Sequence, residues 1–195
     1  MRARDENKEM AIREKAIELI VNEGFGGFSM GKLAKAASVS PATLYIYYKN
    51  KEDLLNSLYN TVHDKFIEMA LQDFDPSVSL STGLMQQWKN RLRHIEEHPY
   101  HFKFTEQFKN SPLIHHKDVN TEEFKEIMKQ FVMNAIRRGE LRKMEPEIFW
   151  ALAFGPFYSL TRFHIQGKSM MNDTFSITDQ KLKTLLEIVL KSLKP

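Results

Sequence analysis

Between Gly24 and Lys51 the chain carries Lys32, Lys35, Lys49 and Lys51 and neither Asp nor Glu. Over the whole sequence the charges nearly balance, with 28 Lys and Arg against 25 Asp and Glu and a net charge of +3. An acid-free segment in a balanced chain suits a surface that faces phosphates, where a carboxylate would be repelled and an ammonium releases counterions. The same stretch holds hydroxyls at Ser29, Ser40, Thr43, Tyr45 and Tyr47, which can bond phosphate oxygens or base edges. Pro41 and Ala42 between them are small and apolar, the kind of group that touches a thymine methyl. Lys32 and Lys35 fit a solvated face as well as a phosphate contact, and Tyr48 fits core packing.

Other chemistry finds little support. His94, His98 and His101 fall near metal-ligand spacing, but Pro99 breaks the helix between them and no acid completes a zinc pattern. With 0 cysteines there are no disulfides, thiolate metal sites or Cys nucleophiles. Gly-rich phosphate loops, nucleophile elbows and His-Glu-x-x-His motifs are absent. We therefore expect no catalytic residues, no metal and no cofactor. The alternatives are a small helical enzyme or metal-binding protein, and a helical adaptor that binds only protein.

The elements that must hold the basic segment are short helices. Ser29 can cap a first one, in which Met30, Leu33, Ala34 and Ala37 recur at helical spacing. Ser40 can cap a second, with Pro41 at the first helical position, where its missing N–H has no partner anyway. Val39 and Leu44 supply apolar contact across the turn. This is the layout of a helix-turn-helix, whose second helix enters the DNA major groove.

The run from Val39 to Leu55, VSPATLYIYYKNKEDLL, resembles the DNA-binding signature of the tetracycline-repressor (TetR) family. That signature has a Val-Ser, two variable residues, Leu-Tyr, an aromatic pair, then Lys-Glu-Asp-Leu-Leu. The resemblance implies a phosphate-binding role for Lys51 and places Tyr47 where the family often has His. Together with the residue chemistry, it gives Ser29, Met30, Lys32, Ser40, Pro41, Ala42, Thr43, Tyr45, Tyr47 and Lys51 as the DNA-binding set, with the N–H groups of Met30 and Gly31 at a helix N-terminus holding a phosphate. Two positions depart from the family. Ser38 stands where Gly is usual in the turn, a position that often needs φ > 0. Pro41-Ala42 replaces a commoner basic-Gly pair, which removes a guanine-reading cation.

The remaining sequence reads as helix throughout, without a convincing period-2 run, repeat or low-complexity segment. A first helix over about Asn7–Asn22 buries Ile12, Ala16, Leu19 and Ile20, ends at Gly24, and sends Phe25 and Phe28 into a small core. Arg2 and Arg4 are either a frayed terminus or an arm for phosphate. Asn50 caps a fourth helix over about Lys51–Leu71, which braces the small first domain and leads into the second. Further helices are expected over about Ser81–Glu97 and Tyr100–Asn110. His115, His116 and Lys117 lie in the loop after Pro112. A seventh helix follows, capped by Asn120 with Glu123 and carrying a clear apolar stripe to Gly139. An eighth, apolar on most sides, starts at Pro146 and is expected to bend at Gly155-Pro156; a ninth runs over about Thr178–Leu193.

The expected fold is all-α: an N-terminal three-helix helix-turn-helix DNA-binding domain, residues 1–50, and a larger C-terminal helical ligand-binding and dimerisation domain, residues 51–195, with about nine helices in total. In the second domain Trp88, Arg91, Phe104, Phe108, Phe131, Phe154 and Tyr158 are candidates for lining a ligand pocket, core packing being the alternative for each aromatic. The family resemblance implies a small-molecule effector held there, a homodimer through helices 8 and 9, and a double-stranded DNA operator released on effector binding. No apolar run reaches the ~20 residues of a membrane span, and the N-terminus lacks the apolar core of a signal peptide. A soluble cytoplasmic protein without a membrane partner is the expectation.

Overall fold

The computed structural model describes residues 5–108, 121–171 and 173–195. Nine α-helices run through them: α1 (Glu6–Gly27), α2 (Met30–Ala36), α3 (Pro41–Tyr47), α4 (Lys51–Leu71), α5 (Leu80–Glu97), α6 (Pro99–Phe108), α7 (Glu122–Arg137), α8 (Pro146–Gln166) and α9 (Asp179–Leu193). Among the described residues the nearest thing to sheet is an isolated bridge between Lys168 and Thr174. The fold is all-α, as the periodicity and the sparse Gly and Pro imply. Arg2, Arg4, Asn110, Pro112, His115, His116, Lys117 and the Asn120 cap lie outside the described residues. At α7 the described N-cap is Thr121, whose side chain makes no cap hydrogen bond.

Packing divides the described chain into two units. The first comprises residues 5–66 and 97–108, and the second 67–96 with 121–195. The unit around the helix-turn-helix is thus wider than residues 1–50. Three short helices cannot bury enough apolar surface alone. Their core is completed by Leu54, Leu55, Leu58, Tyr59 and Val62 of α4 and by Phe104 and Phe108 of α6. From α1 it takes Ile12, Ala16, Ile17 and Ile20, so Ile17 is buried where the sequence favoured the half-buried Leu19. Gly24 takes φ 70° and ψ 173°, which interrupts α1 and turns Phe25 and Phe28 inward. Phe25 meets Phe108 edge-on at 4.7 Å, and Tyr59 stacks on Phe108 at 5.6 Å.

The second unit packs α5, α7, α8 and α9 around Leu84, Trp88, Phe131, Phe149, Phe154, Phe157, Leu182, Leu186 and Val189. Trp88 donates its indole N–H to the Ala153 carbonyl at 3.0 Å and stacks on Phe157 at 5.6 Å, tying α5 to α8. At the C-terminus of α7, Gly139 adopts φ 70° while its N–H bonds Ile136 and that of Glu140 bonds Ala135, so the helix ends where the sequence placed its cap. α8 continues from Pro146 to Gln166 with Pro156 inside it. It buries Phe149, Ala153, Phe154, Phe157 and Thr161 on one side, while Ile148, Ala151, Ser159 and Arg162 face solvent in the single chain. One strip of α8 is thus open to solvent, while Leu152, Tyr158 and Leu160 are partly buried against the core.

Candidate nucleic-acid interface

The helix-turn-helix is held by hydrogen bonds that its sequence specifies. Ser29 Oγ accepts the Lys32 N–H at 3.2 Å, and Ser40 Oγ accepts the Thr43 N–H at 3.1 Å. Both are N-caps, each meeting one of the donors a helix start leaves unpaired. Between them, the Val39 N–H reaches back to the Ala34 carbonyl at 2.9 Å and the Ser38 N–H to Lys35 at 3.2 Å. This is a Schellman closure, and it requires the left-handed conformation at Ser38, which takes φ 53°. The position that favours Gly is thus occupied by Ser without a change of turn type, at a local cost of about 1–2 kcal/mol. After α3, Asn50 Oδ1 accepts the Asp53 N–H and Asp53 Oδ2 accepts the Lys49 N–H, both at 2.8 Å. The two acids that follow the basic segment, Glu52 and Asp53, start α4, where negative charge is favourable, and one of them is spent on capping.

Burial of Leu44 and Tyr47 fixes the orientation of α3. Pro41, Ala42, Tyr45 and Ile46 lie exposed on its outer face, with Thr43 half-buried and Tyr45 and Ile46 at 55% and 49% exposure. Ile46 is absent from the expected set. Its signal was available: with 44, 47 and 48 turned inward, 42, 45 and 46 must share the outer side of the helix. Lys35 on α2 and Lys49 just after α3 are exposed and make no ion pair among the described residues. Lys32 is also exposed but pairs with Glu23 at 2.5 Å, an acid just outside the cleared segment. Ser29 is exposed and Met30 half-buried.

Two expected phosphate ligands are turned into the fold. Tyr47 is 8% exposed and shares hydrogen bonds of 3.3 Å with the backbone of Asp5. The Lys51 ammonium donates to the carbonyls of Phe25 at 3.1 Å and Phe28 at 3.0 Å, and lies 5.5 Å from the Phe28 ring. Those carbonyls follow the break at Gly24, so they lack helical partners and a cation supplies them. Tyr48 is buried, with its hydroxyl accepting from Arg13 Nε at 3.3 Å.

The residues expected around a ligand fall into separate places. Phe104 and Phe108 belong to the core of the first unit. Trp88, Phe131 and Phe154 are fully buried in the second, where Phe131 closes over Gly83 and Trp88 stacks on Phe157. Arg91 is fully buried beside them and donates through Nε to the half-buried Tyr158 hydroxyl at 3.3 Å. Of the histidines, His98 and His101 stack at 4.9 Å, and His101 Nε2 meets Glu14 Oε1 at 3.3 Å, which joins α6 to α1 and holds the Glu14 carboxyl below its ordinary range. Among the described residues no group of three or more His, Asp or Glu is placed to hold a metal. No described helix is long and apolar enough to cross a membrane.

Comparison with known proteins agrees with this geometry. Residues 12–58 match the family described as bacterial regulatory proteins, tetR family, and residues 84–187 match the tetracyclin repressor-like C-terminal domain. An uncharacterised HTH-type transcriptional regulator of Haemophilus influenzae is 29% identical over 69% of this chain and 71% of its own. A negative transcriptional regulator of a biofilm operon in Staphylococcus epidermidis is 25% identical over 62% of this chain and 67% of its own. Among solved structures, a TetR family transcription regulator of Marinobacter aquaeolei superimposes with a TM-score of 0.76 at 29% identity, covering 100% of this chain and 99% of that one.

Proposed function

Because the chain belongs to the TetR family of DNA-binding transcriptional regulators, we propose that it represses transcription as a homodimer on a pseudo-palindromic operator and is released by a small effector held in its second unit. The observation that carries the DNA-binding part is the outer face of α3, apolar and hydroxyl-bearing, flanked by unpaired lysines. In this reading Pro41, Ala42 and Ile46 meet base edges and thymine methyls, and Thr43 and Tyr45 place hydroxyls on phosphate or base. Ser29, Met30, Lys35, Ser40 and Lys49 line the phosphate path, with Lys32 tempered by its pairing to Glu23. Tyr47 and Lys51 serve from inside the fold by fixing the angle of α3. The repressing mode rests on analogy with the negative regulator of Staphylococcus epidermidis. The cytoplasm, where the operator lies, is the proposed compartment.

The twofold partner would use α8 and α9. Ile148 and the half-buried Leu152 on α8, and Ile188 on α9 at 60% exposure, leave apolar surface outward on both helices. A partner applying the same surface would bury it and set two copies of α3 about one or more helical turns of DNA apart. The test is a duplex selected from random sequence, titrated with the protein by fluorescence anisotropy, together with sedimentation. Tyr45→Ala is expected to weaken binding at least severalfold. Ile188→Asp is expected to shift the sedimenting species toward monomer and lower operator affinity. A selected sequence without twofold symmetry, or a wild-type protein that binds as a monomer, would refute the dimeric reading.

A further inference from the structure

Trp88, Phe131 and Phe154 fill the interior of the second unit, but one flank is open. Between α5 and α9, beside the residues that follow α4, lies a cleft of about 690 Å³. That volume suits a small molecule. α5 gives it Thr82, Gln86, Lys89 and Arg93, which share one helical stripe. α9 gives it Lys183, Glu187 and Leu190. Each of these three follows by one position a side chain that faces the core, Leu182, Leu186 or Val189. Leu185 and Ile188 precede Leu186 and Val189 by one position and so lie on the opposite flank of the helix. A dimer made through Ile188 therefore leaves the cleft open.

The lining is polar, unlike the mostly apolar wall of a pocket for a hydrophobic ligand. Asn90 is 5% exposed, and its Nδ2 donates to the Ala70 carbonyl at 3.3 Å and the Gln72 carbonyl at 2.8 Å. Its oxygen takes no hydrogen bond among the described residues, although a buried acceptor ordinarily has a donor. Gln86 likewise spends its Nε2 on the Asp73 carbonyl at 2.6 Å, and its oxygen has no donor among the described residues. Donors for both must come from whatever fills the cleft. Charge is also ordered along it. Lys89 meets Asp179 at 3.3 Å, while the Arg142 N–H on the Leu193 carbonyl and the Leu80 N–H on Glu140 tie the other ends together, so α9 runs antiparallel to α5. Arg93 and Lys183 thus share one end with Lys89, and Ser81, Thr82 and Glu187 lie toward the other. Arg93, Lys183 and Glu187 are exposed and make no ion pair among the described residues. Among the described residues no aromatic side chain lines the cleft, so a nucleobase has no stacking platform.

We propose that this cleft binds an anionic polyol, a sugar acid or sugar phosphate, with its charged group between Arg93 and Lys183 and its hydroxyls on Asn90, Gln86 and Glu187. A hydroxyl brings one donor and two acceptor sites. It supplies the amide oxygens and the Glu187 carboxylate with the donors they lack, and accepts in turn from Ser81 or Thr82. Met85, Leu186 and Leu190 meet the C–H faces of the carbon chain. The proposal goes beyond the effector reading, because it concerns binding to this cleft whether or not DNA is released.

Gluconate and glucose 6-phosphate are the probes, with glucose as the uncharged control and inorganic phosphate as the control without a polyol. Each is titrated by calorimetry into the full chain without DNA. At least one anionic sugar is expected to bind saturably, one per chain, and about tenfold or more tightly than either control. Which of the two does so tells a carboxylate head from a phosphate. Arg93→Gln and Lys183→Gln change exposed side chains, so the fold should survive, and circular dichroism checks it. Each is expected to cut the affinity about tenfold, toward that of glucose. Lys191→Gln removes an exposed cation of α9 outside the cleft and is expected to leave the affinity unchanged. No saturable binding of either anionic sugar, binding no tighter than that of glucose or inorganic phosphate, an affinity kept in both cleft variants, or one lost equally in Lys191→Gln overturns the proposal. Because no DNA is present, such a failure leaves the DNA-binding reading intact, whereas a protein that binds the sugar and no duplex refutes that reading alone.

Discussion

Replacing Lys51 by Met separates two roles for one ammonium. The Met keeps most of the apolar stem, so contact with Phe28 survives and the charge alone is lost. In the structure that charge holds the carbonyls of Phe25 and Phe28 at 3.1 and 3.0 Å. A hydrogen bond to a charged group contributes about 1.5–3 kcal/mol. Here two bonds share one half-buried ammonium, and freed carbonyls can turn toward water, so the pair together is worth about 2 kcal/mol. For a chain of this size that lowers the melting temperature by about 4–8 °C. The number of phosphates neutralised should not change, so the slope of log affinity against log salt should match the wild type below the new melting temperature. A direct phosphate contact predicts the opposite pattern: little change in melting, and a slope smaller by about one counterion. Calorimetry and anisotropy titrations over a salt series measure both quantities. An unchanged melting temperature with a reduced slope would refute the assignment of Lys51 to the frame.

Two further outcomes follow from packing and titration. Gly83→Ala would set a Cβ at 2.3 Å from Phe131 Cε2, inside a fully buried ring, so overpacking should cost about 1–3 kcal/mol and lower the melting temperature; wild-type melting would refute it. Glu14, held below its ordinary value of 4.5 first by its hydrogen bond to His101, contributes stability that is complete above that value and is lost as pH falls through the lower folded value. The melting-temperature gap between wild type and Glu14→Gln should therefore close on acidification below pH 4.5, and a gap that widened there would refute the pairing.

What the sequence made legible depended on range. The two caps, the fourth-helix start at Asn50 and the cap at Gly139 are set by residues within a few positions of each other, and each has the partners its type dictates. The direction of a long side chain is not local in that sense. Lys51 reads as a surface cation because nothing adjacent reveals the orphan carbonyls of Phe25 and Phe28. Tyr47 likewise meets its partner, Asp5, 42 residues away. The placement of Phe104 and Phe108 in the core of the first unit was hidden for the same reason. Helical spacing gave their common face, but which core that face entered depended on α1 and α4. Arg91 lay among the expected ligand residues, yet its full burial among three rings came only from packing.

The inward turn of Tyr47 and Lys51 bears on how this protein distinguishes one DNA sequence from another. On α3 the outward side chains are Pro41, Ala42, Tyr45 and Ile46, with Thr43 half-buried and its hydroxyl already bonded to Ser40 Oγ at 2.9 Å. The helix contains no Arg, Lys, Asn or Gln, the types that read guanine and adenine through paired hydrogen bonds. Thymine methyls are the base feature such a surface fits best, because Ala42 and Ile46 can pack on them while a cytosine offers no methyl. In the proposed reading, phosphate contacts from Lys35 and Lys49 would add affinity without choosing a sequence. Discrimination must then come from thymine placement within each half-site, from DNA shape, and from the spacing that a dimer imposes. Single-base changes at a thymine in the half-site should therefore cost more than changes at a guanine.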